Sequence, residues 1–117
     1  MQRARADPPR EAVSETLTHR TALWRWTGGG NGGTWYFASI TGADAEALSA
    51  TALMRKLEGL GRGFGSLKVK ARIGDTAFAT SVFPSKQDQA WLLPVKASVR
   101  KAEGIGEGDP LEVELTF

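Results

Sequence analysis

The sequence predicts a mainly β protein, a small closed β-barrel of about six strands with one medium and one short helix. Three observations support this prediction: short segments in which apolar and polar residues alternate, turn residues between them, and only two segments with helical spacing. Because most of the strands have one apolar face, closing the sheet around that face buries it most simply. A sheet with one helix on its face is the alternative.

The chain has 117 residues, of which 41% are hydrophobic and 24% charged, as in an ordinary globular protein. Residues 15–117 are expected to form a single domain. Residues 1–14 contain Pro8 and Pro9, mixed charge and no hydrophobic periodicity, which predicts a flexible tail. The sequence shows no apolar run of about 18 residues and no signal-peptide pattern. We therefore expect a cytoplasmic protein that has no membrane partner.

The first elements predicted are two strands, residues 16–27 and 34–39, both rich in β-branched and aromatic residues. The glycine-rich stretch 28–33 lies between them. A phosphate-binding loop would lead into a helix and would usually carry a lysine, whereas a strand follows this stretch. It therefore predicts the tip of a hairpin.

A helix is predicted over about residues 44–58. Thr41 and Asp44 resemble a capping box at its start, and glycines follow its end. An apolar stripe at helical spacing is expected to face the core, and it comprises Leu53, Leu57 and Leu60.

The second half predicts, in order, strand 67–73, strand 76–83, strand 90–93, helix 96–103 and strand 111–117. Gly74 and Asp75 supply a tight turn between the first two strands, and Pro84 is expected to stop the second. Gly104 suits the end of the short helix, and Asp109 is expected to bind backbone N–H groups in the following turn. The alternation predicts a core that includes Leu67, Val69, Ile73, Phe83, Val113 and Leu115.

Charge changes sign along the second half. Residues 66–102 hold seven basic and two acidic side chains, and residues 103–117 hold five acidic and no basic ones. The two segments are expected to pair with each other on the folded surface. Lys68, Lys70 and Arg72 form a basic stripe, but the aromatic residues that would stack on nucleic acid are missing from that strand. Nucleic-acid binding is therefore not favoured.

No catalytic constellation is present in the sequence. The chain lacks cysteine, and His19 is its single histidine, expected to be a surface or satisfied residue. No acid–base pair, nucleophile or metal-ligand cluster is found. The sequence therefore predicts no catalytic residue, no metal and no cofactor.

The best candidate site is a cluster that would bind an anion. Lys96 and Arg100 are four residues apart on the short helix and project from one face. Thr80 and Ser81 lie near the end of a strand that shortly precedes this helix, and they supply hydroxyl groups. A guanidinium with nearby hydroxyl donors suits a carboxylate or phosphate. The alternative is that the bases are satisfied internally, by Glu103, Glu107 or Asp109.

The four tryptophans are many for this length. Trp24 and Trp26 share a strand face that Trp35 can join, and burial in the core is expected for most of them. If part of the cluster opens onto a pocket, Trp35 and Trp91 are the candidates for its wall.

Three runs in the second half carry a family resemblance: GFGSLKVKARIGDTAFATSVFP, WLLPVKASVRKAEGIGEGD and the closing LEVELTF. Together they span the region from residue 63 to residue 117, and the first half fits more loosely. They resemble the bacterial and archaeal family called DUF1905. The resemblance implies a compact β-barrel domain of the double-split type, and it implies no established activity.

Three function classes remain open at this point. The leading expectation is a non-enzymatic binding or accessory domain of the bacterial cytosol that recognises a small anionic ligand or a partner protein. The second is a nucleic-acid-binding barrel domain, by analogy of fold alone. The third is a small enzyme that works without histidine or cysteine. The sequence does not indicate the oligomeric state.

Overall fold

The computed structural model describes residues 15–28, 32–59, 65–87 and 89–117. The elements in chain order are β1 (Thr16–Gly28), β2 (Gly33–Ile40), α1 (Gly42–Leu57), β3 (Leu67–Ile73), β4 (Thr76–Ser85), β5 (Ala90–Pro94), α2 (Ala97–Glu103) and β6 (Pro110–Thr116). The predicted tail 1–14, residues 29–31 of the predicted hairpin tip and Leu60 of the predicted stripe lie outside the described residues.

The six strands form a closed antiparallel barrel in the order β1-β2-β5-β4-β3-β6. Closure depends on β6, which pairs with β1 on one side and with β3 on the other. The prediction of a mainly β closed barrel with two helices is confirmed. Because a closed barrel has no unpaired edge, the alternative of an open sheet with a helix on its face is wrong.

The core lies inside the barrel and follows the predicted alternation on most strands. On β3 every second residue from Leu67 is buried, and on β6 Val113 and Leu115 are completely buried. Both helices contribute to the same core, through Ala45 and Leu48 of α1 and Val99 of α2. Of the six predicted core residues, Leu67, Val69, Ile73, Val113 and Leu115 are buried.

The prediction for Phe83 is wrong, because this side chain is 46% exposed while Val82 is completely buried. The tight turn at Gly74 sets the register of β3 and β4, so that Leu67 lies opposite Val82. Since neighbouring residues of a strand face opposite sides, Phe83 must point outward. Pro84 does not stop β4, which pairs with β5 at this end, where its pairing with β3 has already ended.

Helix α1 packs against the barrel through its first half. Ala45 and Leu48 are buried, and the Ser49 hydroxyl accepts a hydrogen bond of 2.9 Å from Trp91 Nε1 of β5. Leu53 and Leu57 are 56% and 75% exposed, so the prediction that their stripe faces the core is wrong. The helix meets the barrel at β5 near its N-terminal half, and the leucines lie beyond that contact.

The start of α1 is held by a histidine instead of a capping box. Thr41 is the N-cap residue, but its side chain makes no capping hydrogen bond. The Thr41 N–H donates to His19 Nε2 over 3.3 Å, and His19 Nδ1 lies 2.8 Å from Asp44 Oδ2. Because Nε2 accepts, Nδ1 carries the proton that is shared with Asp44. The lone histidine thus ties β1 to the first turn of α1.

Helix α2 ends as the sequence predicts. Gly104 adopts a left-handed conformation with φ of 65°, and its N–H bonds to the Lys101 carbonyl. The Ile105 N–H bonds to the Arg100 carbonyl, which completes a Schellman motif and returns Ile105 to the core. In the next turn Asp109 Oδ2 accepts the Gly106 N–H at 2.7 Å, as expected.

The parity of β4 predicts unequal effects for two neighbouring residues. Val82→Ala should lower the free energy of unfolding by about 1–3 kcal/mol, because it removes fully buried methyl groups and leaves a cavity. Phe83→Ala should cost less than about 1 kcal/mol despite removing the larger side chain. Urea unfolding measures both variants. A larger loss for Phe83→Ala would show that the parity of β4 is assigned incorrectly.

The histidine link predicts an energetic coupling between β1 and α1. His19→Ala should destabilise the protein by about 1 kcal/mol, because the Thr41 N–H and the Asp44 carboxylate both lose a partner. A double-mutant cycle with Asp44→Ala should show a coupling of at least about 0.5 kcal/mol, measured by chemical unfolding. Strictly additive effects of the two substitutions would contradict the link.

Candidate anion-binding site

A cleft of about 260 Å³ opens where β2, β4 and α2 meet. We call it the Arg100 cleft, and its principal lining residues are Trp35, Tyr36, Phe78, Thr80, Lys96 and Arg100. Pairing between β2 and β5 positions it, because Phe37 lies opposite Pro94 and the Val95 N–H then bonds to the Tyr36 carbonyl at 2.9 Å. This extension of the ladder brings the start of α2 against Tyr36.

Arg100 lies over an aromatic ring in this cleft. Its Cζ atom is 3.8 Å from the centroid of the Tyr36 ring, which is a close cation–π contact. The side chain is half-buried, and Nε is buried without a hydrogen-bond partner. Among the residues that the structure describes, no carboxylate pairs with Arg100 or Lys96.

The three acids that are the alternative internal partners of these bases are bonded elsewhere. Glu103 accepts hydrogen bonds from the Asp75 N–H and the Thr76 hydroxyl. Glu107 lies 3.6 Å from Arg25 Nε, and Asp109 binds the Gly106 N–H. The alternative in which these acids neutralise the two bases of α2 is therefore not formed.

The predicted site residues separate into two groups. Thr80, Lys96, Arg100 and Trp35 line the same cleft. Ser81 does not line it, since neighbouring strand residues face opposite sides and Ser81 lies across from Lys68 on the outside of the barrel.

Trp91 does not line the Arg100 cleft either. It is almost completely buried and bonds to Ser49, and it borders a different cavity, between α1 and β5.

The sequence did not predict that the Tyr36 ring contacts Arg100, or that Phe78 and Val95 form an apolar wall of the cleft. Tyr36 lies on the same face of β2 as Ala38 and Ile40, which are buried, and this alternation indicates that its side chain points inward. Its contact with Arg100 could not be anticipated, because it depends on the pairing of β2 with β5.

The aromatic hairpin faces outward, contrary to the expectation of core burial. Trp26 and Trp35 lie opposite each other and are 44% and 54% exposed. Trp24 packs on Phe37 with ring centroids 5.1 Å apart, and its Nε1 donates to the Ser39 hydroxyl at 2.8 Å. The inward positions of this hairpin belong to Leu23 and Ala38, so the larger rings must occupy its other face.

The predicted pairing of basic and acidic segments is formed only in part. Arg72 Nε lies 3.8 Å from Glu114 Oε1, as expected for neighbouring strands. Glu112 instead contacts Arg20 of β1, because β6 lies between β1 and β3. Lys68 and Lys70 are exposed, and the described part of the chain offers neither of them an ion pair.

Across the described ranges, no group of three or more His, Asp or Glu side chains is placed to hold a metal ion. None of the helices in those ranges combines the length and the apolar character needed to cross a membrane.

These features define a small antiparallel β-barrel domain with a cationic cleft beside an exposed aromatic hairpin. A family model described as a domain of unknown function, DUF1905, matches residues 20–115. The chain therefore belongs to the DUF1905 family. The match includes the hairpin and α1 as well as the second half that carried the resemblance. A comparison with curated proteins found no significant match.

Proposed function

We propose that this DUF1905 domain is a non-enzymatic binding module of the bacterial cytosol, and that a small anion binds in the Arg100 cleft. The observation that carries the proposal is the half-buried guanidinium of Arg100, which lies on Tyr36 and has no carboxylate partner among the described residues. Lys96 and Thr80 line the same cleft and supply further donors.

Electrostatics favour an anion at this position. Burial of an unpaired charge costs free energy, and a cation–π contact offsets only about 0.5–2 kcal/mol of that cost. A carboxylate or phosphate adds charge-assisted hydrogen bonds, for which the planar guanidinium is well suited. Because Nε is shielded from solvent, the ligand would contact the two terminal Nη groups of Arg100. A carboxylate presented by a partner protein would use the same donors.

The composition of the cleft supports binding more than catalysis. Its polar side chains include Tyr36, Thr80, Lys96 and Arg100, and within the described residues none of them is hydrogen-bonded to a carboxylate or imidazole that would act as its base. No observation favours a small enzyme.

Calorimetric titration with acetate, benzoate and inorganic phosphate tests the proposal. We expect saturable binding of at least one of these anions, its loss in Arg100→Ala, and an affinity at least about tenfold lower in Arg100→Lys, which keeps the charge but lacks the planar fork. Lys101→Ala is the matched control, since it removes the same charge from an exposed position on α2 that does not line the cleft.

Two results would overturn the proposal. One is unchanged binding in Arg100→Ala, provided that its thermal unfolding shows a folded protein. The other is the absence of binding for all three anions. Stabilisation by a ligand that binds serves as an independent readout, since a hundredfold excess over Kd should add about 2.7 kcal/mol to the free energy of unfolding.

One observation favours nucleic acid as a second candidate. Lys68 and Lys70 are exposed, and Phe83 is exposed on the adjacent strand β4. Two lysines provide about two phosphate contacts, for which the slope of log affinity against log salt is about −1.4 for a single strand. We propose that any such binding is weaker than micromolar at physiological salt.

Fluorescence anisotropy measures the affinity for a labelled oligonucleotide in wild type and in the double variant Lys68→Ala/Lys70→Ala. Weak binding with a shallow salt dependence, lost in the double variant, is the expected result. A complex tighter than micromolar whose affinity falls steeply with salt would instead establish the nucleic-acid function.

A further inference from the structure

We infer that the anion bound in the Arg100 cleft is a carboxylate with a short aliphatic chain, whose carboxylate group binds Arg100 and whose hydrocarbon contacts the apolar wall of the cleft. This inference rests on the proposed function, because it requires an anion at Arg100. It adds the chemical class of that anion, which is a monocarboxylate and not a phosphate.

The side chains of the cleft extend from the inner face of the barrel. Tyr36 lies on the buried face of β2 and packs against the core. On β4, Phe78 and Thr80 share the face of Val82, which is completely buried. Arg100 of α2 reaches the Tyr36 ring from outside the sheet. The cleft is therefore an opening at one end of the barrel interior.

The register of three strands places an apolar side chain next to the Tyr36 ring. The Val95 N–H bonds to the Tyr36 carbonyl, so these two residues are neighbours across the ladder. The pairing of β4 with β5 sets Phe83 opposite Leu92. The same register, continued by three residues, sets Thr80 opposite Val95. Because neighbouring strands lie about 4.8 Å apart, Tyr36, Val95 and Thr80 form a short row with the apolar residue in its middle.

The charge of the cleft fits a monoanion. Among the described residues that line it, Arg100 is the one half-buried cation, whereas Lys96 is exposed at the mouth. A carboxylate carries one negative charge, which one guanidinium balances. A phosphate group carries about −1.5 to −2 at pH 7, and the excess charge would be costly next to apolar side chains.

The orientation of Arg100 also favours a carboxylate. The Tyr36 ring covers one face of the guanidinium, and Nε is shielded from solvent, which leaves the two terminal Nη groups as donors. Two parallel N–H groups match the two oxygens of one planar carboxylate. A phosphate has further oxygens, and the side chains of Phe78 and Val95, which are 9% and 2% exposed, offer them no donor.

The size of the cleft limits the length of the hydrocarbon. Its volume of about 260 Å³ lies below the range of about 300–1,000 Å³ that is usual for pockets enclosing a whole drug-sized ligand. A carboxylate group and a chain of a few carbons fit against Phe78 and Val95. A longer chain extends into solvent, so its additional carbons gain little affinity.

A chain-length series of linear acids tests the inference. Calorimetric titrations of wild type use acetate, propionate, butyrate and octanoate, with inorganic phosphate for comparison. We expect the affinity to rise about fourfold for each CH₂ from acetate to butyrate, which corresponds to about 0.8 kcal/mol per buried CH₂. The gain per CH₂ should fall below about twofold between butyrate and octanoate. Phosphate should bind at least about tenfold more weakly than butyrate, and Arg100→Ala should abolish binding of the acids.

A substitution in the apolar wall locates the hydrocarbon. Val95→Thr replaces a methyl group by a hydroxyl at nearly constant volume, and it should lower the affinity for butyrate at least about threefold while leaving that for acetate unchanged. Val99→Thr is the matched control, because Val99 is also 2% exposed but does not line the cleft. It should leave the ratio of butyrate to acetate affinity unchanged. Thermal unfolding verifies that both variants are folded, and if Val95→Thr is not, the chain-length series in wild type decides alone.

The failures of the two proposals are distinguishable. Phosphate binding that requires Arg100 and is tighter than butyrate binding, or an affinity that does not rise from acetate to butyrate, overturns the carboxylate inference and leaves the anion site intact. An affinity ratio that is unchanged in folded Val95→Thr, or that falls equally in Val99→Thr, also overturns it, because the preference would then not arise at the apolar wall. If none of these anions binds, both proposals are wrong.

Discussion

The pairing of β6 with both β1 and β3 closes the barrel, and the placement of the remaining elements depends on it. Its inward residues Val113 and Leu115 are completely buried, so the closing strand also fills the core. Without it, β1 and β3 would be edge strands with unpaired backbone groups. Because β1 then enters the hairpin in a fixed register, β2 is fixed as well, and with it the position of Tyr36.

The Arg100 cleft follows from a chain of backbone contacts. The pairing of β2 with β5 continues to the bond between the Val95 N–H and the Tyr36 carbonyl, and α2 begins two residues later. Arg100 is the fourth residue of α2 and lies five residues after Val95, and its long side chain reaches the Tyr36 ring. The Schellman motif at Gly104 then turns the chain back toward the core and limits α2 to seven residues.

The sequence predicts the elements of this fold better than the faces that they bury. Alternation identifies β3 and β6 because one side of each is strictly apolar. On β4 both Val82 and Phe83 are apolar, so the face is decided by the register of a turn and not by composition. The proximity of Lys96 and Arg100 could be predicted because the two residues are close in sequence. The contact of Arg100 with Tyr36 could not be predicted, since it joins segments that are distant in sequence.

The acidic end of the chain shows why opposite charges in neighbouring segments do not imply pairing in space. Glu103 and Asp109 bind backbone N–H groups, and Glu107 and Glu112 pair with arginines of β1, which lies outside the basic segment. Among the described residues, Glu114 is the only one of the five acids that forms an ion pair with a base of residues 66–102. The acids are thus engaged in turns and in closing the barrel, whereas Lys68 and Lys70 of β3 and Arg100 of α2 have no carboxylate partner among the described residues. A chain with a small net charge therefore presents localised positive charge, and at Arg100 the guanidinium also lies against an aromatic ring.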